Sequence, residues 1–479
     1  MLFNSFSFVL FFLIVFIIYW FALGQKTKSQ NIFLLIASYF FYGCWDWRFT
    51  FLLATSTILC YVGGNLIYNA DSDKKRKIWV ATVVTVNLLF LGIFKYFNFF
   101  IESFQDFLAL FGITNNHYSL YIILPVGISF YTFHGLSYVI DIYYKKWLPT
   151  PSWIDYSLFV AFFPLLVAGP IERATHLLPQ IEKKRSFSLD KAYDGLRQIL
   201  WGLFKKIVIA DGCAIYVNQI FDNSEHQPGS ALILAAILFA FQIYGDFSGY
   251  SDIALGTARL LGFELLQNFN FPYFSRDIAE FWRRWHISLS SWFRDYIYIP
   301  LGGSRKGMAK TIRNTFIIFL VSGFWHGANW TFVMWGGLHA LYIVPSILVK
   351  RNRKNIDIVA KGKLIPSLKD AANILITFSL VVLAWILFRA DNIQHAYSYL
   401  QGIPKNIFVS PELSNKSIIS IIMVIIMICV EWYGREGKYA LEFLKNSNNK
   451  IINWSVYYFI IILLFMFAAG EQAFIYFQF

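Results

Sequence analysis

Apolar runs long enough to cross a bilayer recur from one end of this 479-residue chain to the other. About 20 apolar residues in a helix span the ~30 Å of hydrocarbon. Backbone in lipid must satisfy its own polar groups, which leaves only helices or closed barrels as spanning structures. Residues 5–23, 78–100, 371–389 and 417–433 are continuous apolar runs without the alternation of a barrel strand. The fold class expected is therefore all-α: a polytopic integral membrane protein with roughly 11 membrane-embedded helices, some re-entrant or broken. Composition agrees, with 57% hydrophobic residues, 51 of them Phe, and 14% charged, against roughly 25% charged in a soluble domain.

The formal charge of +13 is not a nucleic-acid signal. Lys and Arg gather in short loops between apolar runs: Lys26 and Lys28, Lys74 to Lys77, Lys145 and Lys146, Lys350 to Lys354, Arg435 and Lys438. That pattern follows the positive-inside rule and attraction to anionic lipid. Counting spans between these loops puts both termini on the extracytoplasmic side of the cell membrane. The first apolar run has no basic residues before it and no small-residue cleavage site after it, so it reads as a retained span. Cys44, Cys60, Cys213 and Cys429 have no metal or redox spacing and read as small helix residues; no metal site is expected. No composition shift divides the chain, so residues 1–479 read as one integral domain, with an aromatic tail at 471–479.

Three stretches are expected to be irregular. Residues 153–170 are apolar but interrupted by Pro164 and Pro170, which suggests a re-entrant element. The run 230–247 ends in the polar patch QIYGDFSGYSD, where Asp246 and Asp252 read as structural bonding in a broken helix. Gly336 and Gly337 are expected to end an outgoing segment over 314–335, leaving a return of about a dozen residues, ~20 Å long.

Chemistry concentrates between residues 276 and 330. His326 falls within the apolar segment, ~18 Å beyond the basic residues that precede it. An imidazole in hydrocarbon is costly and is a functional candidate, although histidines also pack helices through hydrogen bonds. Trp325 and Trp330 bracket it, while Gly327 and Ala328 leave room beside it. His286, following Trp282, Arg283, Arg284 and Trp285, reads either as an interfacial anchor or as a partner of His326. A neutral imidazole can accept a hydroxyl proton and return it to a leaving group. Arg283, Arg284, Arg294, Arg305 and Lys306 are either ordinary inner-loop charge or a dock for an anionic donor. His339 either lines the same cavity or packs; His134 and His176 lack evident partners; His117, His226 and His395 lie near segment ends or outer loops.

WRRWHISLSSWFRDYIYIPLGGSR followed by FWHGANWTFVMWGGLHA resembles the signature of the membrane-bound O-acyltransferase (MBOAT) family. LPVGISFYTFHGLSYVIDIY (124–143), VAGPIERATHLLPQI (167–181) and QIYGDFSGYSDIALG (242–256) resemble its alginate O-acetyltransferase branch, related to teichoic-acid D-alanyl transfer proteins. The resemblance covers nearly the whole chain. It implies helices around a funnel through a thinned membrane, His326 as the invariant histidine, and His286 at a second family position that carries Asn in many eukaryotic members. It also implies no bound cofactor. The donor would be acetyl-CoA or another acyl thioester, including one on an acyl-carrier protein, and an extracytoplasmic acyltransferase partner would pass the group to a cell-surface polysaccharide. Phe474, Tyr476, Phe477 and Phe479 resemble an aromatic terminal motif of related acylation systems, in which Tyr476 would relay the acyl group as an ester. D-alanyl transfer from a carrier protein to teichoic acid stands as an alternative, as does a polymer or lipid transporter.

Overall fold

A computed structural model describes residues 1–113, 122–167, 169–468 and 474–475, apart from the side chain of Asn446. Among the described residues every regular element is helical, and seven helices are long and apolar enough to cross a membrane. The chain divides into two compact units, Met1–Ser188 with Leu261–Leu265, and Leu189–Leu260 with Leu266–Phe479.

The first unit holds α1 (Phe6–Ile17), α2 (Thr27–Gly43), α3 (Arg48–Tyr68), α4 (Asp73–Leu91), α5 (Phe97–Ala109), α6 (Ile128–Tyr143), α7 (Trp153–Ala161), α8 (Phe163–Leu166) and α9 (Ala174–Glu182). A π-helical turn joins α4 to α5 in one apolar rod, Asp73–Ala109. Ser72 starts it by accepting from the Lys75 amide, one of the orphan donors at a helix N-terminus. The stretch expected to be re-entrant is indeed broken: Phe162 leaves helical geometry, and the pieces either side are nine and four residues long. His134 and His176, unpartnered in the sequence reading, share Glu172. His134 Nε2 accepts from the Glu172 amide at 3.1 Å, and His176 Nδ1 lies 2.8 Å from the buried Glu172 carboxylate.

The second unit holds α10 (Leu189–Leu203), α11 (Asp211–Phe221), α12 (Gly229–Leu260), α13 (Ile278–Arg284), α14 (Ile287–Phe293), α15 (Met308–His326), α16 (Trp330–Leu348), α17 (Leu368–Arg389), α18 (Ile393–Gly402), α19 (Asn415–Gly434) and α20 (Lys450–Phe467). Two expectations are corrected. α12 does not break at its polar patch; it runs for 32 residues, because lysines presented by neighbouring backbone satisfy its carboxylates. α15 and α16 do not break at Gly336–Gly337 either. The reversal comes at residues 327–329, and α16 then runs for 19 residues, which removes the expected short return.

Glycines explain both helix pairs. Gly195 and Gly202 on α10 oppose Gly256 and Gly249 on α12, an order that makes the two antiparallel. A Cβ on Gly202 would stand 2.6 Å from the Gly249 carbonyl, and one on Gly256 2.5 Å from that of Gly195. In α15 and α16, Gly323 lies against the Phe332 carbonyl and Gly336 against that of Phe319. Such small-residue faces let helices in lipid gain van der Waals contact that hydrophobic burial cannot supply there.

Gly202→Leu should therefore push α10 off α12, costing on the order of 3 kcal/mol. Gly92→Ala, whose added methyl would meet nothing within 4 Å, should leave stability unchanged or slightly higher. Thermal unfolding of the two variants in detergent separates these outcomes, and equal midpoints would refute the packing account.

Candidate active site

α13 begins with Asp277 accepting from the Glu280 amide at 2.7 Å and ends at Trp285, where the backbone turns extended. His286 follows at φ 44°, ψ 54°, in the left-handed region. A non-glycine residue there is uncommon, and persists where its surroundings over-determine it. Here the Ile287 amide donates to the Asn268 carbonyl and the Asn270 amide to the Arg284 carbonyl, each at 2.9 Å. The Arg284 guanidinium reinforces this, donating to the Asn270 carbonyl at 3.3 Å, to Glu280 at 2.9 Å and to the Asp357 carbonyl at 3.0 Å.

The His286 ring is wholly buried. Its Nδ1 lies 3.0 Å from Asn268 Oδ1, which also accepts from the Ser288 hydroxyl at 2.9 Å. Its neighbours are aromatic: Phe247 edge-on at 4.6 Å between centroids, Trp325 at 6.0 Å and His326 at 6.4 Å. With no charge nearby to offset desolvation, burial pushes its pKa from 6.5 down to about 3.

His326 is the last residue of α15 and not an interior helix position. Gly327 leaves the helix in extended conformation, and a side chain there would strike the Phe332 ring. Asn329 then caps α16 by accepting from the Thr331 amide at 3.0 Å, and ties the turn to the Asp391 carbonyl at 2.6 Å. The imidazole is 3% exposed. It meets Trp325, Trp335 and Phe388 edge-on at 5.0, 5.1 and 5.4 Å. His339 lies beyond Trp335 and accepts from Trp282 Nε1 at 3.2 Å, which gives it a packing partner one ring away from His326. The two histidines singled out from sequence are thus brought together, in an aromatic enclosure with a low local dielectric.

The basic residues differ in setting. Arg284 is buried against Glu280, a carboxylate that Arg276 also binds at 3.1 Å. Arg283 is exposed and donates to the carbonyls of Asn352 and Asn355 at 2.9 and 2.7 Å. Arg294 pairs with Asp295 at 2.8 Å, and Arg305 and Lys306 are exposed on the loop before α15.

Of the aromatic tail, Phe474 and Ile475 are described and buried, whereas Tyr476, Phe477 and Phe479 lie outside the described residues, as does His117. The Phe474 ring lies 4.3 Å from that of Tyr250 and 6.4 Å from that of Phe247. The Ile475 amide donates to Asp246 Oδ2 at 2.6 Å, while Lys206 pairs with Asp246 Oδ1 at 2.8 Å and with Asp211 at 2.7 Å.

Sequence reasoning passed over Asn268, Lys205 and Lys206. Lys205 is buried on a π-helical segment, Phe204–Ala210, and binds Asp252 at 2.6 Å and Ser248 at 2.8 Å. A Lys-Lys pair inside an otherwise apolar run, with no cation yet assigned to Asp211, Asp246 and Asp252, was the available signal. Asn268 carried none.

Residues 144–385 match the membrane-bound O-acyltransferase family. Over 404 residues the chain is 40% identical to the probable alginate O-acetylase of Pseudomonas aeruginosa, covering 84% of this chain and 75% of the relative. It is 34% identical over 433 residues to the peptidoglycan O-acetyltransferase of Helicobacter pylori, covering 84% and 80%. To the teichoic acid D-alanyltransferase of Bacillus subtilis it is 28% identical over 285 residues, covering 56% and 70%.

The buried neutral state of His286 has a measurable signature. Its unfolded imidazole gains a proton below pH 6.5, the folded one only near 3, so stability is whole above 6.5 and falls as the pH drops through that window. At pH 5 the loss due to His286 should be about 2 kcal/mol. His286→Gln should unfold with a correspondingly flatter pH dependence, and parallel curves for the two proteins would contradict the assignment.

Proposed function

The chain belongs to the membrane-bound O-acyltransferase family and is an O-acyltransferase, and we propose that it moves an acetyl group from a cytoplasmic thioester across the membrane for O-acetylation of a cell-surface polysaccharide. The observation that carries this reading is the pairing of His326 with His286, 6.4 Å apart and enclosed by Trp325, Trp335 and Phe388. Acetyl is favoured as the group because the relatives named for O-acetylation match more of the chain, at higher identity, than the one named for D-alanylation. Membership of an acyltransferase family counts against the transporter reading.

In this reading acetyl-CoA docks through the exposed cations Arg283, Arg294, Arg305 and Lys306, which suit phosphates, while Arg284 supports the backbone around His286. His326 takes the proton of an attacking hydroxyl as its oxygen bonds the thioester carbonyl. The thiolate leaves, and the proton returns to it as thiol, so the base is regenerated. The tail supplies the hydroxyl: Tyr476 lies two residues beyond Phe474, whose ring contacts Phe247, which contacts His286. The tyrosyl ester would then be relieved by an extracytoplasmic partner, with both termini on that side. D-alanyl transfer is the second reading, supported by the B. subtilis match. It would replace the nucleotide donor by a carrier protein with an acidic surface.

His326→Ala should abolish O-acylation of surface polymer, measured by mass spectrometry of the polymer, while the protein still accumulates in the membrane; normal acylation would sink the assignment. Tyr476→Phe should lower polymer acylation at least ~100-fold if the ester relay is obligatory. Full activity in that variant would rule the relay out and leave direct transfer to the acceptor.

A further inference from the structure

We infer that Asn268 is a positioning residue for the acyl transfer: its side-chain carbonyl holds His286 in the tautomer whose Nε2 is an open proton acceptor. The inference rests on the proposal that His286 works with His326. Asn268 is 1% exposed and lies in the irregular stretch between α12 and α13. An amide oxygen offers only lone pairs, so its 3.0 Å contact with His286 Nδ1 requires the ring hydrogen to be on Nδ1.

The amide is held at both ends. The Ser288 hydroxyl donates to Oδ1 at 2.9 Å, and Nδ2 donates to Ser251 Oγ at 3.1 Å. The backbone carbonyl of the same residue accepts from the Ile287 amide at 2.9 Å. One asparagine therefore fixes both the left-handed backbone that carries His286 and the orientation of its ring. With Nδ1–H committed, the lone pair is on Nε2, which is buried and has no hydrogen-bond partner among the described residues. An open Nε2 can accept a hydroxyl proton, whereas the opposite tautomer would present only a donor there. At metal sites, loss of the partner that fixes a histidine's tautomer typically costs ~10–100-fold in affinity or activity.

The test uses the full chain in lipid with 15N-labelled histidine, the His286 signals being identified by their loss in His286→Gln. The wild-type ring should show hydrogen on Nδ1 and a lone pair on Nε2. Asn268→Ala should lose that tautomer and lower kcat ~10–100-fold with KM for acetyl-CoA within about twofold. Asn268→Asp should keep the tautomer, since a carboxylate also accepts, but raise the ring pKa, so that the acid limb of activity moves toward neutral pH. Hydrogen on Nε2 in the wild type would overturn the inference whatever His286 does, as would an unchanged tautomer in a folded Asn268→Ala. Full activity in His286→Gln would remove the working role of His286, and Asn268's positioning role with it, even with the tautomer confirmed.

Discussion

Lys206 and Asp246 form an ion pair in which both side chains are at most 3% exposed, and much of the second unit is arranged so that such charge never meets hydrocarbon alone. Isolated ions in an apolar medium are untenable, and a pair survives only when further hydrogen bonds complete it. Asp246 is completed by the Ile475 amide, Lys206 by Asp211, Lys205 by Asp252 and Ser248, and Glu280 by Arg276 and Arg284. Each set joins elements distant in sequence or fixes a turn beside one. Removing one member strands the others, so these networks specify how α10, α11, α12 and the chain around α13 fit together.

Around that charged framework the catalytic candidates sit in a different medium. His286 and His326 are surrounded by rings, and nothing ionic stands against His286 to offset desolvation. The charges lie one layer back: Arg284 holds the backbone next to His286 without touching its ring. This separation keeps the His286 imidazole neutral in a segment whose sequence is crowded with arginines.

Legibility in the sequence followed the range of the forces involved. Long apolar runs identified the helices of α1, α4, α17 and α19, because lipid acts on each span locally. His326 stood out because polar groups are rare in apolar segments, and His286 through its pairing with His326 and its place in the family signature. What could not be read was contact-dependent. Gly336 and Gly337 look like a break until Phe319 is placed against the first and Leu320 against the second. The patch from Gln242 to Asp252 looks like a broken helix until Lys205 and Lys206 arrive to pair with it. Asn268 is one amide among many until a left-handed histidine is set beside it.

The α15–α16 pair also has a consequence for how such a chain can vary in length. Gly323 and Gly336 lock the register of the two helices, and His326 stands three residues beyond the first lock, at the end of its helix. Exchanging Phe324 for a residue of similar size leaves the spacing from Gly323 to His326 intact. A single insertion between Gly323 and His326 would instead rotate the imidazole by ~100° and carry it ~1.5 Å along the axis. The position of the ring is thus measured by residue count from a glycine, and this stretch should tolerate substitution far better than insertion or deletion.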